Sequence, residues 1–194
     1  MPSGTQKLTI QDMLKLNAKE LRERKPTKKE MKAIKRLPLY LVLDNVLDTY
    51  NIGGLFRLAD AVTAEKVILC GGSETPPSSR IHKAAVGTEE WVAWEYFKTA
   101  EEAIKNLKSQ VPDLEVVAIE QSEKSIPVTN YEIPKGCKAI ALIVGHETDG
   151  VTKEALDLAD TILEIPMFGV NKSLNVIVSA AIGTYKIVEK IVNK

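Results

Sequence analysis

Short, wholly apolar runs separated by helical patterns constrain the fold of this chain more than any other feature. Leu39–Leu43, Val67–Cys70 and Ala139–Val144 are uninterrupted apolar segments. Such runs are typical of strands that are buried on both faces, because a half-exposed strand alternates apolar with polar residues. Strands that alternate with helices predict an α/β fold with a mostly parallel sheet and helices on both faces.

The remaining elements follow from periodicity and capping residues. Further strands are predicted at Trp91–Phe97, Glu115–Ile119 and Thr161–Ile165. Helices are predicted at Leu55–Thr63, from a Thr99 cap to Ser109, from a Thr152 cap to Ala159, and at Leu174–Val192, whereas 74–90 is predicted to be irregular.

Residues 1–37 are predicted to form a basic helical extension, followed by one domain over 38–194. Residues 1–36 carry eleven Lys/Arg and four Asp/Glu, whereas the rest of the chain is acidic. Helical spacing runs over Leu8–Arg24, and Thr27 with Glu30 forms a capping box for a second helix that ends before Pro38. A basic arm suits nucleic-acid binding, but a solvated helical face explains the charge equally well.

Composition argues against several classes of protein. No apolar run reaches the roughly 18 residues of a membrane helix, and Met1–Ile10 lacks a signal-peptide core, so we expect a cytoplasmic protein with no membrane contact. Cys70 and Cys137 are expected to be free thiols. With His82 and His146 as the only histidines, we expect no metal site.

Three polar loops follow predicted strands, at 44–54, 145–150 and 166–172. They are the loops richest in Gly, Asn, Asp and Glu. In open parallel sheets, ligands bind beyond the carboxyl ends of the strands. The site is therefore predicted at this edge.

The first loop contains Asn51 and leads to Arg57. Asn51 stands near the predicted helix start and is a candidate N-cap. Arg57 lies between Phe56 and Leu58, where a charged residue is rarely buried without a partner. A surface cation is the alternative interpretation of Arg57.

The second loop contains Glu147 between Gly145 and Gly150. These glycines allow close backbone approach or a positive φ. A strand-to-helix turn without a ligand is the alternative. A dinucleotide site of an oxidoreductase fits poorly, because that fingerprint needs three glycines after an early strand.

The third segment leads into the last helix. Ser173 is a candidate N-cap, which would place Asn175 inside the helix. Asn is mildly unfavourable there, so Asn175 is expected to face a polar group. The free backbone N–H groups of the helix start could hold a carboxylate or a purine edge.

Together, these segments resemble the SpoU family of RNA ribose methyltransferases, within the knotted SPOUT superfamily. The resemblance covers roughly residues 39–192. Its motifs are Asn51-x-Gly53 with Arg57, then Gly145-x-Glu147-x-x-Gly150, then Ile165-Pro166-Met167-x-Gly169 with Ser173-Leu174-Asn175-Val176.

The resemblance implies an enzyme that transfers a methyl group from S-adenosylmethionine to a ribose 2′-hydroxyl of tRNA or rRNA. It also implies a C-terminal trefoil knot and a homodimer whose site is completed across the interface. The catalytic residues it indicates are Arg57, Asn51, Glu147, Ser173 and Asn175. The cofactor-binding residues it indicates are Val144, Gly145, Gly150, Ile165, Met167 and Leu174.

Three positions depart from the family pattern. His146 replaces a small or amide residue, Ile177 stands where Ser is common, and Lys186 stands near a usual acidic position. His146 is interpreted either as an added polar contact or as a partly exposed loop residue. The departures leave one alternative function, a non-catalytic RNA-binding or ribosome-assembly factor.

Overall fold

The computed structural model describes residues 15–193. Its strands are β1 (Leu37–Asp44), β2 (Ala64–Cys70), β3 (Trp94–Phe97), β4 (Leu114–Ile119), β5 (Ile126–Pro127), β6 (Ala139–Val144) and β7 (Thr161–Glu164). Its α-helices are α1 (Ala18–Glu23), α2 (Lys28–Ala33), α3 (Thr49–Ala61), α4 (Ser79–Ala85), α5 (Ala100–Gln110), α6 (Lys153–Leu156) and α7 (Val176–Val192). Short 3-10 helices cover Thr88–Glu90 and Val128–Asn130.

The seven strands form one parallel sheet in the order β3-β2-β1-β6-β4-β7-β5. Alternate residues of the central strands enter two separate cores. In β1, Leu41 and Leu43 pack with α3, α4 and α7, whereas Val42 packs with α5 and α6. Both faces of the sheet are therefore covered, which explains the wholly apolar runs. The predicted α/β fold with a mostly parallel sheet is confirmed.

Two elements at the start of the domain differ from the sequence-based expectation. Helix α3 begins at Thr49 rather than Leu55, because the side chain of Asp48 accepts a hydrogen bond from the Tyr50 N–H at 2.8 Å. Helix α4 lies within the segment predicted to be irregular. It buries only two side chains, so its sequence carries little helical periodicity.

Thr152 does not cap a helix that extends to Ala159. Helix α6 is a single turn, and the Thr152 hydroxyl instead donates to Asp44 Oδ2 at 2.7 Å. The Thr152 N–H donates to the same oxygen at 2.8 Å. Asp44 is buried at the end of β1, so this contact joins the first predicted site loop to the residues that follow the second.

The strand predicted at Trp91–Phe97 is shorter, since Trp91 ends a 3-10 helix and β3 begins at Trp94. Likewise β7 ends at Glu164, which leaves Ile165 in the following loop. Within residues 15–193, no helix is both long and apolar enough to cross a membrane.

The link between helices α1 and α2 of the basic segment lies beside the 3-10 helix at 88–90. The Arg24 guanidinium stands over the Trp91 ring, 5.7 Å from its centre, and Lys25 pairs with Glu90 at 2.9 Å. The predicted capping box of Thr27 and Glu30 is confirmed. The helix predicted to start at Leu8 lies partly outside the described residues, and within them it begins at Ala18, after an Asn17 cap.

Candidate active site

A cavity of about 470 Å³ lies at the carboxyl edge of the sheet, within the usual size range of small-molecule sites. Residues that follow β4, β6 and β7, with the start of α7, form its walls. All six residues predicted to bind the cofactor line it: Val144, Gly145, Gly150, Ile165, Met167 and Leu174. Three of the five predicted catalytic residues also line it: Glu147, Ser173 and Asn175.

Glu147 joins the second loop to the first. Its carboxylate accepts hydrogen bonds from the N–H groups of Leu47 at 3.2 Å and Asp48 at 3.1 Å. It also accepts one from Asn51 Nδ2 at 2.8 Å. Glu147 therefore holds the N-terminal end of α3 against the loop after β6.

The same contacts determine the charge of Glu147. Partial burial on its own would raise the pKa of this carboxyl group. The hydrogen bonds from Asn51, Asp48 and Leu47 outweigh that effect and lower the pKa below its ordinary value. Glu147 is therefore an anion at neutral pH.

Asn51 connects Glu147 to the third segment. Its side chain is 3% exposed, and its Oδ1 accepts a hydrogen bond from Asn175 Nδ2 at 3.1 Å. The Oδ1 of Asn175 in turn accepts from the Ile177 N–H at 2.8 Å. A continuous chain of hydrogen bonds thus runs from the start of α7 through Asn175 and Asn51 to Glu147.

The observed hydrogen bonds correct three expectations about helix caps. Asn51 does not cap α3, because Asp48 does. Ser173 does not cap the last helix, because α7 begins at Val176 and Asn175 is its N-cap. Asn175 therefore lies at the helix boundary, where Asn is favourable, and not inside the helix.

The loop at 145–150 is a tight turn that requires both glycines. A side chain on Gly145 would stand 2.1 Å from the Gly150 carbonyl carbon. Gly150 has a φ of +72°, and a side chain there would meet Glu120 Oε2 at 2.1 Å. The expectation of close approach and positive φ is confirmed.

His146 stabilises this turn from within. Its backbone exchanges two hydrogen bonds of 3.0 Å with Gly150. Its ring Nδ1 accepts from the N–H groups of Thr148 and Asp149, both at 3.1 Å. The first interpretation of His146, an added polar contact, describes this arrangement, and the contact serves the turn itself.

Sequence reasoning missed two residues of the site, Glu120 and Gln121. Glu120 Oε2 accepts from the Val151 N–H at 2.9 Å, and Gln121 Nε2 donates to the Lys172 carbonyl at 2.6 Å. They connect the end of β4 to both neighbouring loops. Their signal in the sequence was available, because two polar residues directly follow the predicted strand Glu115–Ile119.

Arg57 stands apart from the other predicted catalytic residues. It is exposed on α3, more than two turns after the helix start, and within residues 15–193 it forms no hydrogen bond or ion pair. It does not line the cavity. The single chain therefore brings Glu147, Asn51 and Asn175 together but leaves Arg57 exposed and outside the cavity.

The charge of the cavity limits what it can bind. Among residues 15–193, those that line it include four carboxylates, at Glu120, Glu147, Asp149 and Glu164, and neither Lys nor Arg. Such a lining suits a ligand with a cationic centre and disfavours a bound phosphate.

Metal ions and thiol chemistry have little support in the described residues. Over 15–193, no group of three or more His, Cys, Asp or Glu side chains could hold a metal ion. Cys70 is buried, and burial together with Asp44 and Glu102 raises the pKa of its thiol to about 12. A neutral, enclosed thiol is a poor nucleophile.

The fold and sequence both match known methyltransferases. The structure superposes on a TrmH/SpoU tRNA modifying enzyme of A. aeolicus with a TM-score of 0.69 and 26% identity, covering 91% of this chain and 83% of the other. It superposes on an AdoMet-bound rRNA methyltransferase of Sinorhizobium meliloti with a TM-score of 0.70 and 25% identity, covering 86% and 58%.

Curated relatives agree with this likeness. The tRNA (guanosine(18)-2′-O)-methyltransferase of Escherichia coli is 30% identical over 160 residues, which cover 81% of this chain. The 23S rRNA (guanosine-2′-O-)-methyltransferase RlmB of Ralstonia nicotianae is 28% identical over 153 residues, or 79% of this chain. The matched regions are 66% and 59% of the lengths of those relatives.

The family model described as the SpoU rRNA Methylase family matches residues 38–185, a segment that contains the cavity and the hydrogen-bonded chain from Asn175 to Glu147. The chain therefore belongs to the SpoU rRNA Methylase family.

Proposed function

We propose that this chain is an S-adenosylmethionine-dependent methyltransferase that modifies a ribose 2′-hydroxyl of tRNA or rRNA. The observation that carries the proposal is the hydrogen-bonded chain that joins Glu147, Asn51 and Asn175 at the cavity. Family membership and the names of the relatives support the same reaction.

The cavity fits the proposed cofactor in chemistry as well as size. Val144, Ile165, Met167 and Leu174 supply apolar walls for an adenine ring. The acidic lining suits the positive sulfonium centre of S-adenosylmethionine. The methyl group on that sulfur is the group that would be transferred. We propose Val144, Gly145, Gly150, Ile165, Met167 and Leu174 as the residues that hold it.

In the proposed reaction, the ribose oxygen would bond to the methyl group while the bond from that group to the sulfonium sulfur breaks. The neutral thioether, S-adenosylhomocysteine, would leave, and the hydroxyl proton would pass to solvent. The guanidinium group of an arginine is in general a poor base, so we do not assign Arg57 to removal of that proton. We assign it to the developing alkoxide or the adjacent phosphate, where a fixed positive charge lowers the barrier. Glu147 and Asn51 hold the start of α3, and Asn175 and Ser173 border the methyl donor.

Replacing Arg57 tests this assignment. Arg57→Ala is expected to lower methyl transfer by at least about a hundredfold, the effect of removing one electrostatic contact to a transition state. Calorimetry should give an unchanged affinity for S-adenosylmethionine. Arg80→Ala, an exposed cation on α4, is the matched control. Equal loss of cofactor binding in Arg57→Ala would make Arg57 structural instead.

We propose that a second copy of the chain completes the site. Val178, Ile182 and Tyr185 form an exposed apolar stripe on α7, with exposures of 45%, 37% and 55%. Their spacing places them on one helix face. Gly54 of α3, one turn before Arg57, packs against Ile177 of α7, so the helix that carries Arg57 lies beside the helix that carries the stripe.

Ile182→Glu tests the homodimer. Light scattering should give a dimer for the wild type and for the control Gln110→Glu on α5, and a monomer for Ile182→Glu. Methyl transfer should be lost together with the dimer. A wild-type monomer with full activity would contradict the proposal.

The basic arm is proposed to bind RNA as an extension, residues 1–37, of the domain at 38–194. Seven of its described cations are exposed and form no ion pair within residues 15–193: Lys15, Lys19, Arg22, Lys28, Lys29, Lys32 and Lys35. Removing 1–36 should weaken RNA binding and flatten its dependence on salt. An unchanged salt slope would contradict this role.

The trefoil knot and a cytoplasmic location stay predictions that accompany the proposed reaction. The non-catalytic alternative rested on His146 and Ile177. His146 stabilises its own turn, and Ile177 packs against Gly54 while its N–H is capped by Asn175. Neither residue displaces a site residue, so the structure gives no reason to prefer that alternative.

The reaction is tested with purified protein, labelled S-adenosylmethionine and total RNA that lacks the modification. Label should enter alkali-resistant dinucleotides, because a 2′-O-methyl group blocks alkaline cleavage. Absence of transfer to every RNA tested, with intact cofactor binding, would overturn the proposed function.

A further inference from the structure

One aromatic side chain near the cavity is left almost wholly exposed by the part of the chain that the structure describes. Phe168, in the loop between β7 and α7, is 97% exposed. Of the three Phe residues, Phe56 is fully buried and Phe97 packs against a core cluster. Phe168 therefore leaves a large apolar surface in water in the free chain.

The position of Phe168 ties it to the methyl donor. The adjacent residue Met167 and the nearby Asn171 both line the cavity. Gln121 holds the Lys172 carbonyl at 2.6 Å, which fixes the far end of the loop against β4. A molecule that binds to the Phe168 ring therefore lies beside the mouth of the cavity.

The charge of the cavity favours an uncharged contact there. Its lining has four carboxylates and neither Lys nor Arg, so phosphate groups are repelled from it. A nucleobase can approach such a site, because its flat face is neutral and stacks on aromatic rings. Proteins that read unpaired RNA use aromatic side chains in this way.

We propose that Phe168 stacks on an unpaired nucleobase of the substrate RNA at or next to the methylated nucleotide. This inference rests on the proposed function. Lys172 on the same loop is exposed and forms no ion pair among the described residues, so it can contact the phosphate of the stacked nucleotide outside the acidic lining. Phe168 is thus a positioning residue for the substrate.

Substitutions that keep or remove the ring test the stacking. Phe168→Ala should raise the KM for RNA by about tenfold to a hundredfold, the range expected for one lost stacked base, with affinity for S-adenosylmethionine unchanged. Phe168→Tyr should restore most of the affinity for RNA. Val170→Ala is the matched control, because Val170 is fully exposed on the same loop but has no aromatic face.

A direct readout does not depend on catalysis. The fluorescence of Phe168→Trp should be quenched when RNA is added, whereas that of Val170→Trp should change little. Quenching without methyl transfer by the wild type would support stacking and count against the proposed function. Equal KM values for wild type and Phe168→Ala, a loss of cofactor affinity, or a monomeric Phe168→Ala would each overturn the proposal.

Discussion

Two loops at the same edge of the sheet are built in opposite ways. The turn at 145–150 is closed by its own hydrogen bonds and by glycines that leave no space for a side chain. The loop between β7 and α7 is open: Phe168 and Val170 are exposed, and a side chain on Gly169 would meet nothing within 4 Å.

The two loops therefore differ in what they contribute to the site. The closed turn positions Glu147, which in turn fixes Asn51 and the start of α3. The open loop contributes Met167 and Asn171 to the cavity while it presents Phe168 to solvent. Rigid parts orient reacting groups, whereas exposed surface is available to meet a substrate.

The largest expected effect is that of Gly145→Ala, and the same substitution in the open loop, Gly169→Ala, is its control. Gly145→Ala places a carbon against the backbone of Gly150, so we expect the free energy of unfolding to fall by roughly 3 kcal/mol. We also expect this variant to lose cofactor binding. Gly169→Ala should change stability by about 0.5 kcal/mol or less. Chemical denaturation measures both, and equal losses would remove the contrast between the loops.

Glu147→Gln should have an intermediate effect. It removes the charge that strengthens three hydrogen bonds, so we expect a loss of about 1.5 kcal/mol at neutral pH, moderated by solvent exposure. Thermal denaturation across a pH series measures this difference against the wild type.

The pH dependence of that difference has a definite sign. The pKa of Glu147 is lower in the folded chain than its ordinary value. Its contribution is therefore complete above the unfolded carboxyl pKa of about 4.3 and is lost as the pH falls through the folded pKa. A difference between the two proteins that stays constant from neutral to strongly acidic pH would refute this origin.

The smallest effect on stability is expected from substitutions of Asn175. They separate its role as the N-cap of α7 from its hydrogen bond to Asn51. Asn175→Ala removes the N-cap of α7 and the hydrogen bond to Asn51, with a loss of about 1 kcal/mol. Asn175→Asp keeps an acceptor for the Ile177 N–H but not the donor to Asn51. It should retain stability yet lower the rate of methyl transfer. Wild-type rates in Asn175→Asp would show that the link to Asn51 has no role in the reaction.

The sheet could be predicted from the sequence because its strands are buried on both faces. Their apolar runs, at Leu39–Leu43 or Ala139–Val144, carry that burial directly. Helix boundaries were harder to predict from the sequence. Asp48, Asn51, Ser173 and Asn175 are all good N-cap residues, and only the three-dimensional contacts decide which of them caps a helix.

The sequence predicted most of the residues that the structure brings together at the cavity, but not the contacts between them. Glu147 contacts Asn51 across 96 residues of sequence, and Asn51 contacts Asn175 across 124. No local pattern encodes such pairs, since they depend on strand order. Glu120 could have been identified as a polar residue that directly follows a predicted strand, but its contact with the Val151 N–H depends on β4 lying beside β6.

The central claim is that this chain methylates a ribose 2′-hydroxyl in cellular RNA. Mapping 2′-O-methyl positions in cells with and without the protein tests it most directly. We predict that one or a few positions lose their methyl group when the protein is absent, and regain it with the wild type but not with Arg57→Ala. Identical maps in the two cell types would contradict the account.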